Sequence, residues 1–192
     1  MKQIKLLLGM VAAMGCTMAN QSLYAQRSDS KMDVGSVTFN IGVGAGRSGY
    51  GNYGYYGGGI GYGTGFGIKA ALERGMWQLG PGVLSLGVEL GGSFSGAKGY
   101  HSSIVIAAVR SAYHFGWNVP NLDTYGGLSL GPGLRSYDYY SDQNTISKRH
   151  DATVAPGIFA GASYYFSPNI GVNAEVGYDI TVIQGGLIFK IR

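Results

Sequence analysis

The sequence predicts an all-β protein, an eight-stranded antiparallel up-and-down β-barrel that crosses a membrane with its strands. Three observations predict it. Apolar residues recur at every second position through most of residues 33–192, and period two marks a strand because successive side chains point to opposite faces. The intervening positions carry glycine, serine and a few charges, not the lysine, glutamate and threonine of a water-washed face. Only 12% of the 192 residues are charged, against about 25% in soluble domains. The 35 glycines do not signal disorder, because disordered tracts lack aromatic residues and this chain has 15 Tyr, 7 Phe and 2 Trp.

Ahead of the barrel, residues 1–25 read as a signal peptide, leaving 26–192 as one barrel domain. Lys2 and Lys5 form a basic start, and residues 6–14 form an apolar run. That run is too short for a bilayer, which takes about 20 residues, but suits a signal-peptide core. Thr17 and Ala19 fit cleavage before Asn20, and Ala25 fits cleavage before Gln26. Cys16 is a poor lipid-bearing residue, since Ala13-Met14-Gly15 departs from the usual small-residue box. Removing the segment removes the single cysteine and, with it, disulfide chemistry. It also leaves 12 basic residues (14 − 2) against 10 acidic ones, a balance that calls for no nucleic acid. No later stretch is apolar for 18 residues, so any crossing is by strands.

The first strand presents Val37, Phe39, Ile41, Val43 and Ala45 on one face, and Thr38, Asn40, Gly42 and Gly44 on the other. The second sets the even positions from Ile60 to Leu72 against Gly61, Gly63, Gly65, Gly67, Lys69, Ala71 and Glu73. In the third, Leu84, Leu86, Val88 and Leu90 oppose Ser85, Gly87, Glu89 and Gly91. The fourth opposes Val105, Ala107, Val109, Ser111, Tyr113 and Phe115 to Ile106, Ala108, Arg110, Ala112 and His114. Leu128, Leu130 and Leu134 mark the fifth, against Ser129, Gly131, Gly133 and Arg135. Val154, Ile158 and Phe166 lie on the apolar face of the sixth, with Phe159 and Tyr165 opposite. The seventh runs from Ile170 to Tyr178 and the eighth from Ile183 to Ile191. A glycine-rich face suits the inside of a narrow barrel, with the apolar face toward lipid. With both termini periplasmic, the extracellular loops fall near 46–58, 96–102, 136–152 and 179–182, and the turns near 74–82, 116–123 and 167–169. Trp77 and Trp117 then sit in periplasmic turns as an aromatic belt. Pro132 and Pro156 fit least well, since proline removes a ladder hydrogen bond. They are expected at the rim beside the third loop.

The stretches Arg110-Ser-Ala-Tyr-His-Phe, Asp123-Thr-Tyr-Gly-Gly-Leu-Ser-Leu-Gly and Glu175-Val-Gly-Tyr, with the closing Gly-Leu-Ile-Phe-Lys-Ile, resemble the outer-membrane β-barrel family of OmpA-, OmpX- and OmpW-like proteins. The resemblance covers roughly residues 33–192. It implies a monomeric eight-stranded barrel with a polar interior and a structural, adhesive or small-solute role. Family members often end in an aromatic residue read by the barrel-assembly machinery, and here Ile191 stands in its place.

Candidate chemistry is sparse. Gly44-Ala-Gly46-Arg-Ser-Gly49 matches a dinucleotide fingerprint in letters. That mechanism needs a following helix, and Tyr50-Gly-Asn-Tyr-Gly-Tyr-Tyr-Gly is no helix. Lys69, Glu73, Glu89, Arg110, His114 and Glu175 share the inward parity. Charges in a water-poor interior must pair, so a lumen charge network is expected, either closing the barrel or filtering a small solute. His101 and Ser103 share the outward face, as in outer-membrane lipid deacylases, but no outward acid completes a triad. Tyr50, Tyr53, Tyr55, Tyr56, Tyr137, Tyr139 and Tyr140, with Lys148, Arg149 and His150, suggest either a contact surface on the outer loops or an aromatic collar. No metal-ligand spacing is present, and no cofactor is expected.

The resulting expectation is a non-enzymatic protein of the cell outer membrane with a structural or surface-interaction role. Its partners would be outer-membrane lipid and lipopolysaccharide, the assembly machinery and a surface ligand. The rivals are a small-solute pore, a lipid-modifying enzyme and a soluble periplasmic barrel.

Overall fold

A computed structural model describes residues 31–46, 65–97, 100–117, 119–140 and 146–192. Among them are eight strands: β1 (Val37–Gly46), β2 (Gly65–Leu79), β3 (Gly82–Ala97), β4 (Tyr100–Phe115), β5 (Leu122–Tyr140), β6 (Ile146–Tyr165), β7 (Ile170–Gly177) and β8 (Thr181–Lys190). Each pairs antiparallel with its sequence neighbours, and β1 pairs with β8, which closes the barrel. The ends are tied as well, since Val37 N–H donates to Arg192 C=O at 2.9 Å and Ile191 N–H to Val37 C=O at 2.8 Å. Closure removes the free edges that an open sheet would present.

The alternation read from the sequence is the alternation of the wall. Ile41, Val43, Phe66, Leu72, Leu86, Val88, Val109, Leu130 and Val176 are exposed on the outside, while Thr38, Asn40, Lys69, Ser85, Arg110 and Glu175 are buried inside. Inward glycines keep the barrel narrow: a Cβ on Gly87 would lie 2.2 Å from Leu72 O, and one on Gly131 would lie 2.0 Å from Ala107 O.

Element boundaries differ from the sequence expectation in five places. β2 runs on to Leu79, so Trp77 lies in a strand and the β2–β3 turn is only Gly80-Pro81. The register shifts between Gly75 and Trp77. A bulge inserts one residue and breaks the alternation, which is why the strand reads from sequence as a turn. Gly80 supplies the positive φ of 58° the turn needs. Similarly, residues 100–102 belong to β4, Leu122 and Asp123 belong to β5, and Thr181 and Val182 belong to β8. The stretch 136–152 is mostly paired: Tyr137, Tyr139 and Tyr140 lie in β5, opposite Arg149, Ser147 and Ile146 of β6, and Lys148 faces Asp138. A polar hairpin above the membrane lacks the apolar face that marks a strand. Tyr50, Tyr53, Tyr55 and Tyr56, expected on the first outer loop, lie outside the described residues.

Pro132 and Pro156 sit in mid-strand and not at the rim. The β4–β5 ladder lapses between Ile106↔Gly133 and Val109↔Leu130 without changing register, the gap expected of a missing N–H at Pro132. Pro156 lies beyond Phe159↔Gly177, where pairing with β7 begins, so it occupies an edge, where proline is tolerated.

Candidate functional site

The inward face gathers ionisable side chains from β2, β3, β4, β5 and β7 into one buried cluster. Arg110 is its hub and is 0% exposed. Its Nη1 donates to Glu89 Oε2 at 3.1 Å and its Nη2 to Glu175 Oε2 at 3.1 Å. Its Nε lies 3.0 Å from Glu73 Oε1, an ion-pair contact not aligned as a hydrogen bond. The guanidinium also lies over the Phe159 ring, 3.9 Å from its centroid, in cation–π geometry.

On the side toward the β7–β8 turn, Lys69 Nζ, again 0% exposed, donates to Glu175 and to Asp179 Oδ2, the latter at 2.6 Å. On the opposite side His114 bridges two acids: its Nδ1 is 2.8 Å from Asp123 Oδ2 and its Nε2 is 3.4 Å from Glu73 Oε2. A ring protonated on both nitrogens donates in both directions, whereas a neutral ring serves one. Ser85 Oγ donates to Glu73 Oε2 at 2.6 Å, and Tyr125 Oη to Glu175 Oε2 at 3.1 Å.

All six residues of like parity, Lys69, Glu73, Glu89, Arg110, His114 and Glu175, thus touch within one network. Sequence reasoning missed Asp123, Tyr125 and Asp179 as members, and also the Phe159 ring that carries Arg110. Carrying the parity of Ser129 back along β5 would have reached Asp123 and Tyr125. Asp179 has the inward parity of β7 but lies past its end, in the turn. Apolar side chains close the ionic layer on the side of Lys69: Ile104, Ile106 and Ile180 are buried inside the barrel. Met32, Val83 and Tyr165 are buried toward the turn end. The zero exposure of Lys69 and Arg110 means that no water-sized void reaches them, so the glycine-lined interior is blocked at their level.

Outside, the wall is greasy around its whole girth, from Phe66 and Leu72 on β2 to Leu187 on β8, with Leu134 68% and Val154 72% exposed. Contiguous apolar surface of that extent is untenable in water, and a polar, ion-paired interior beneath it inverts the arrangement of a soluble barrel. The chain is a transmembrane β-barrel. Trp77 and Trp117 are both exposed at the end carrying the short turns. There Trp117 Nε1 donates to Thr124 Oγ1 at 2.8 Å, while its ring meets Phe115 edge-on at 4.9 Å. Ser103 is half-buried and paired with Phe94 and Ser136; the His101 side chain lies outside the described set.

No family model matches the sequence, and no curated protein matches it. Among solved structures it is similar to Ail, the attachment invasion locus protein of Yersinia pestis, at 15% identity and a TM-score of 0.47 over 82% of this chain and 96% of that one. It is similar to Neisserial surface protein A at 14% identity, with a TM-score of 0.48 over 81% and 94%. It is also similar to the N-terminal β-barrel domain of Pseudomonas aeruginosa OprF at 16% identity, with a TM-score of 0.45 over 82% and 98%.

Proposed function

We propose that this is a non-conducting barrel of the bacterial outer membrane that acts at the cell surface through the β5–β6 hairpin and the connections beside it. The observation that carries this reading is the unequal height of the wall. Pairing of β6 with β7 begins at Phe159↔Gly177, and Ile158 C=O still accepts from Tyr178 N–H at 2.7 Å. Residues 146–157 then continue with β5 alone on their other side, to Tyr140↔Ile146. At about 3.3 Å per residue this is roughly 40 Å of strand whose second edge has no partner strand among the described residues. Its lower part still packs into the barrel, where Ala155 joins Ile104, Ile106 and Ile180, while the part beyond offers a backbone edge to a partner. Tyr137, Tyr139, Tyr140, Lys148, Arg149 and His150 all fall on it. With the turn end toward the periplasm, as the expected export segment implies, the hairpin points away from the cell.

The closed interior supports the non-conducting half of the reading. The purified chain in planar bilayers is expected to pass no steady current; a stable open level would favour a solute channel instead. For the surface role, residues 138–148 are replaced by a two-residue turn, and cells displaying the two forms are compared on heparin, a polyanion suited to Lys148, Arg149 and His150. The intact chain is expected to adhere more strongly. Equal adhesion by two equally displayed, folded barrels would overturn the hairpin's role.

A further inference from the structure

At the turn end, where the segment leading into β1 lies beside the end of β8, an open cleft of about 350 Å³ is lined by Val34, Gly35, Ser36, Arg74, Lys190 and Arg192. The fold builds it deliberately from three pieces of chain. Gly35, with a φ of 91°, turns the lead-in segment back along the barrel base. Gly35 N–H then donates to Gly75 C=O at 2.8 Å, and Gly75 N–H to Ser36 C=O at 3.0 Å, which fixes that segment beside Arg74. The hydrogen bonds between Val37 and the last two residues bring in Arg192. Lys190 is held in place by Lys31 C=O, to which its Nζ donates at 2.8 Å, with Asp33 Oδ2 at 3.7 Å.

The cleft is cationic and its charge is largely unspent. Among the described residues the guanidinium groups of Arg74 and Arg192 have neither an ion pair nor a hydrogen-bond partner. Asp33 offsets part of Lys190, and even a free carboxylate at residue 192 would leave a positive excess. Arg74 has a further peculiarity: it stands on the outward face, opposite in parity to buried Glu73, between lipid-facing Leu72 and exposed Trp77. An arginine on that face costs energy in proportion to its depth and becomes tolerable near the interface, where the long side chain can reach a headgroup. A guanidinium matches a phosphate bidentately, and Ser36 with the lysine adds further donors.

We propose that this cleft binds a phosphate group, with Arg74 and Arg192 as its two forks and Lys190 as a fixed point charge. The phosphate is either the headgroup of a lipid in the adjoining leaflet or a free anion. The site is independent of the surface role at the opposite rim.

The test uses the folded full-length chain in neutral detergent, with native mass spectrometry as readout. Phosphatidylglycerol and diacylglycerol, which share acyl chains but not the phosphate, are added in parallel. The wild type is expected to retain one phosphatidylglycerol in preference to diacylglycerol, and the Arg74→Gln/Arg192→Gln variant is expected to retain about tenfold less. Displacement of the lipid by inorganic phosphate assigns the site to the free anion as well; resistance to it assigns the site to the lipid headgroup. Equal retention of the two lipids, or equal retention by wild type and variant, overturns the proposal. The heat-dependent shift in gel mobility of a folded barrel serves as the folding control. Should the double variant fail it, Arg192→Gln alone, beyond the end of β8, carries the same comparison.

Discussion

At the scale of single residues the barrel interior is an electrostatic problem with Arg110 at its centre. Three carboxylates, those of Glu73, Glu89 and Glu175, face one guanidinium that water does not reach. Removing one partner of a buried ion pair leaves charge uncompensated and costs about 3–5 kcal/mol. Arg110→Met is therefore expected to lower the denaturation midpoint of the chain folded into lipid vesicles by an amount of that order. Adding Glu89→Gln is expected to recover part of the loss, because Glu89 Oε1 already lacks a hydrogen-bond partner and the cation left nearest it, Lys69 Nζ at 4.0 Å, is already engaged by Glu175 and Asp179. An unchanged midpoint for Arg110→Met would show that water or another cation replaces it. The inward parity of Arg110 and its companions was legible because parity is a property of the strand alone. Which carboxylate meets which cation was not, since Lys69 reaches Glu175 across 106 positions of sequence.

At the scale of elements, the wall works because small inward residues make room for a few large ones. A Cβ on Gly161 would come within 2.6 Å of Cζ and Oη of Tyr125 and 2.8 Å of Ala174 O. Gly161→Ala should push the Tyr125 ring off Glu175 and cost about 1–3 kcal/mol, as overpacking does. Gly126→Ala is the matched control: its Cβ would face outward and meet only Phe159 O, at 3.7 Å. It should stay within about 0.5 kcal/mol. Denaturation midpoints of the two variants, compared in one lipid, decide between a filled interior and a slack one. Strand centres were readable from sequence and strand ends were not. The bulge near Trp77 resets the alternation, and the β5–β6 hairpin beyond the apolar belt carries no greasy face to announce it.

At the scale of the whole molecule, the decisive feature is which side of the wall meets hydrocarbon. Val109 is exposed in mid-strand, one position before buried Arg110. Val109→Arg should cost about 2–4 kcal/mol in a bilayer if it lies near the midplane, whereas an exposed site on a soluble barrel would lose about 0.5 kcal/mol or less. Refolding yield and midpoint in lipid vesicles measure the difference, and a negligible effect would contradict the lipid-facing wall.

The sequence by itself determined the strand count, the parity of every strand and hence the polarity of wall and lumen, because period-two patterning is local and needs no knowledge of neighbours. Only the tertiary structure decided the rest: which inward charges meet, that Lys69 and Arg110 block the lumen, how far the β5–β6 hairpin outruns β7, and that Arg74, Lys190 and Arg192 converge at the base. All of these depend on register between strands and on ring closure, which bring together residues far apart along the chain, and alternation along one strand contains no information about its offset from the next.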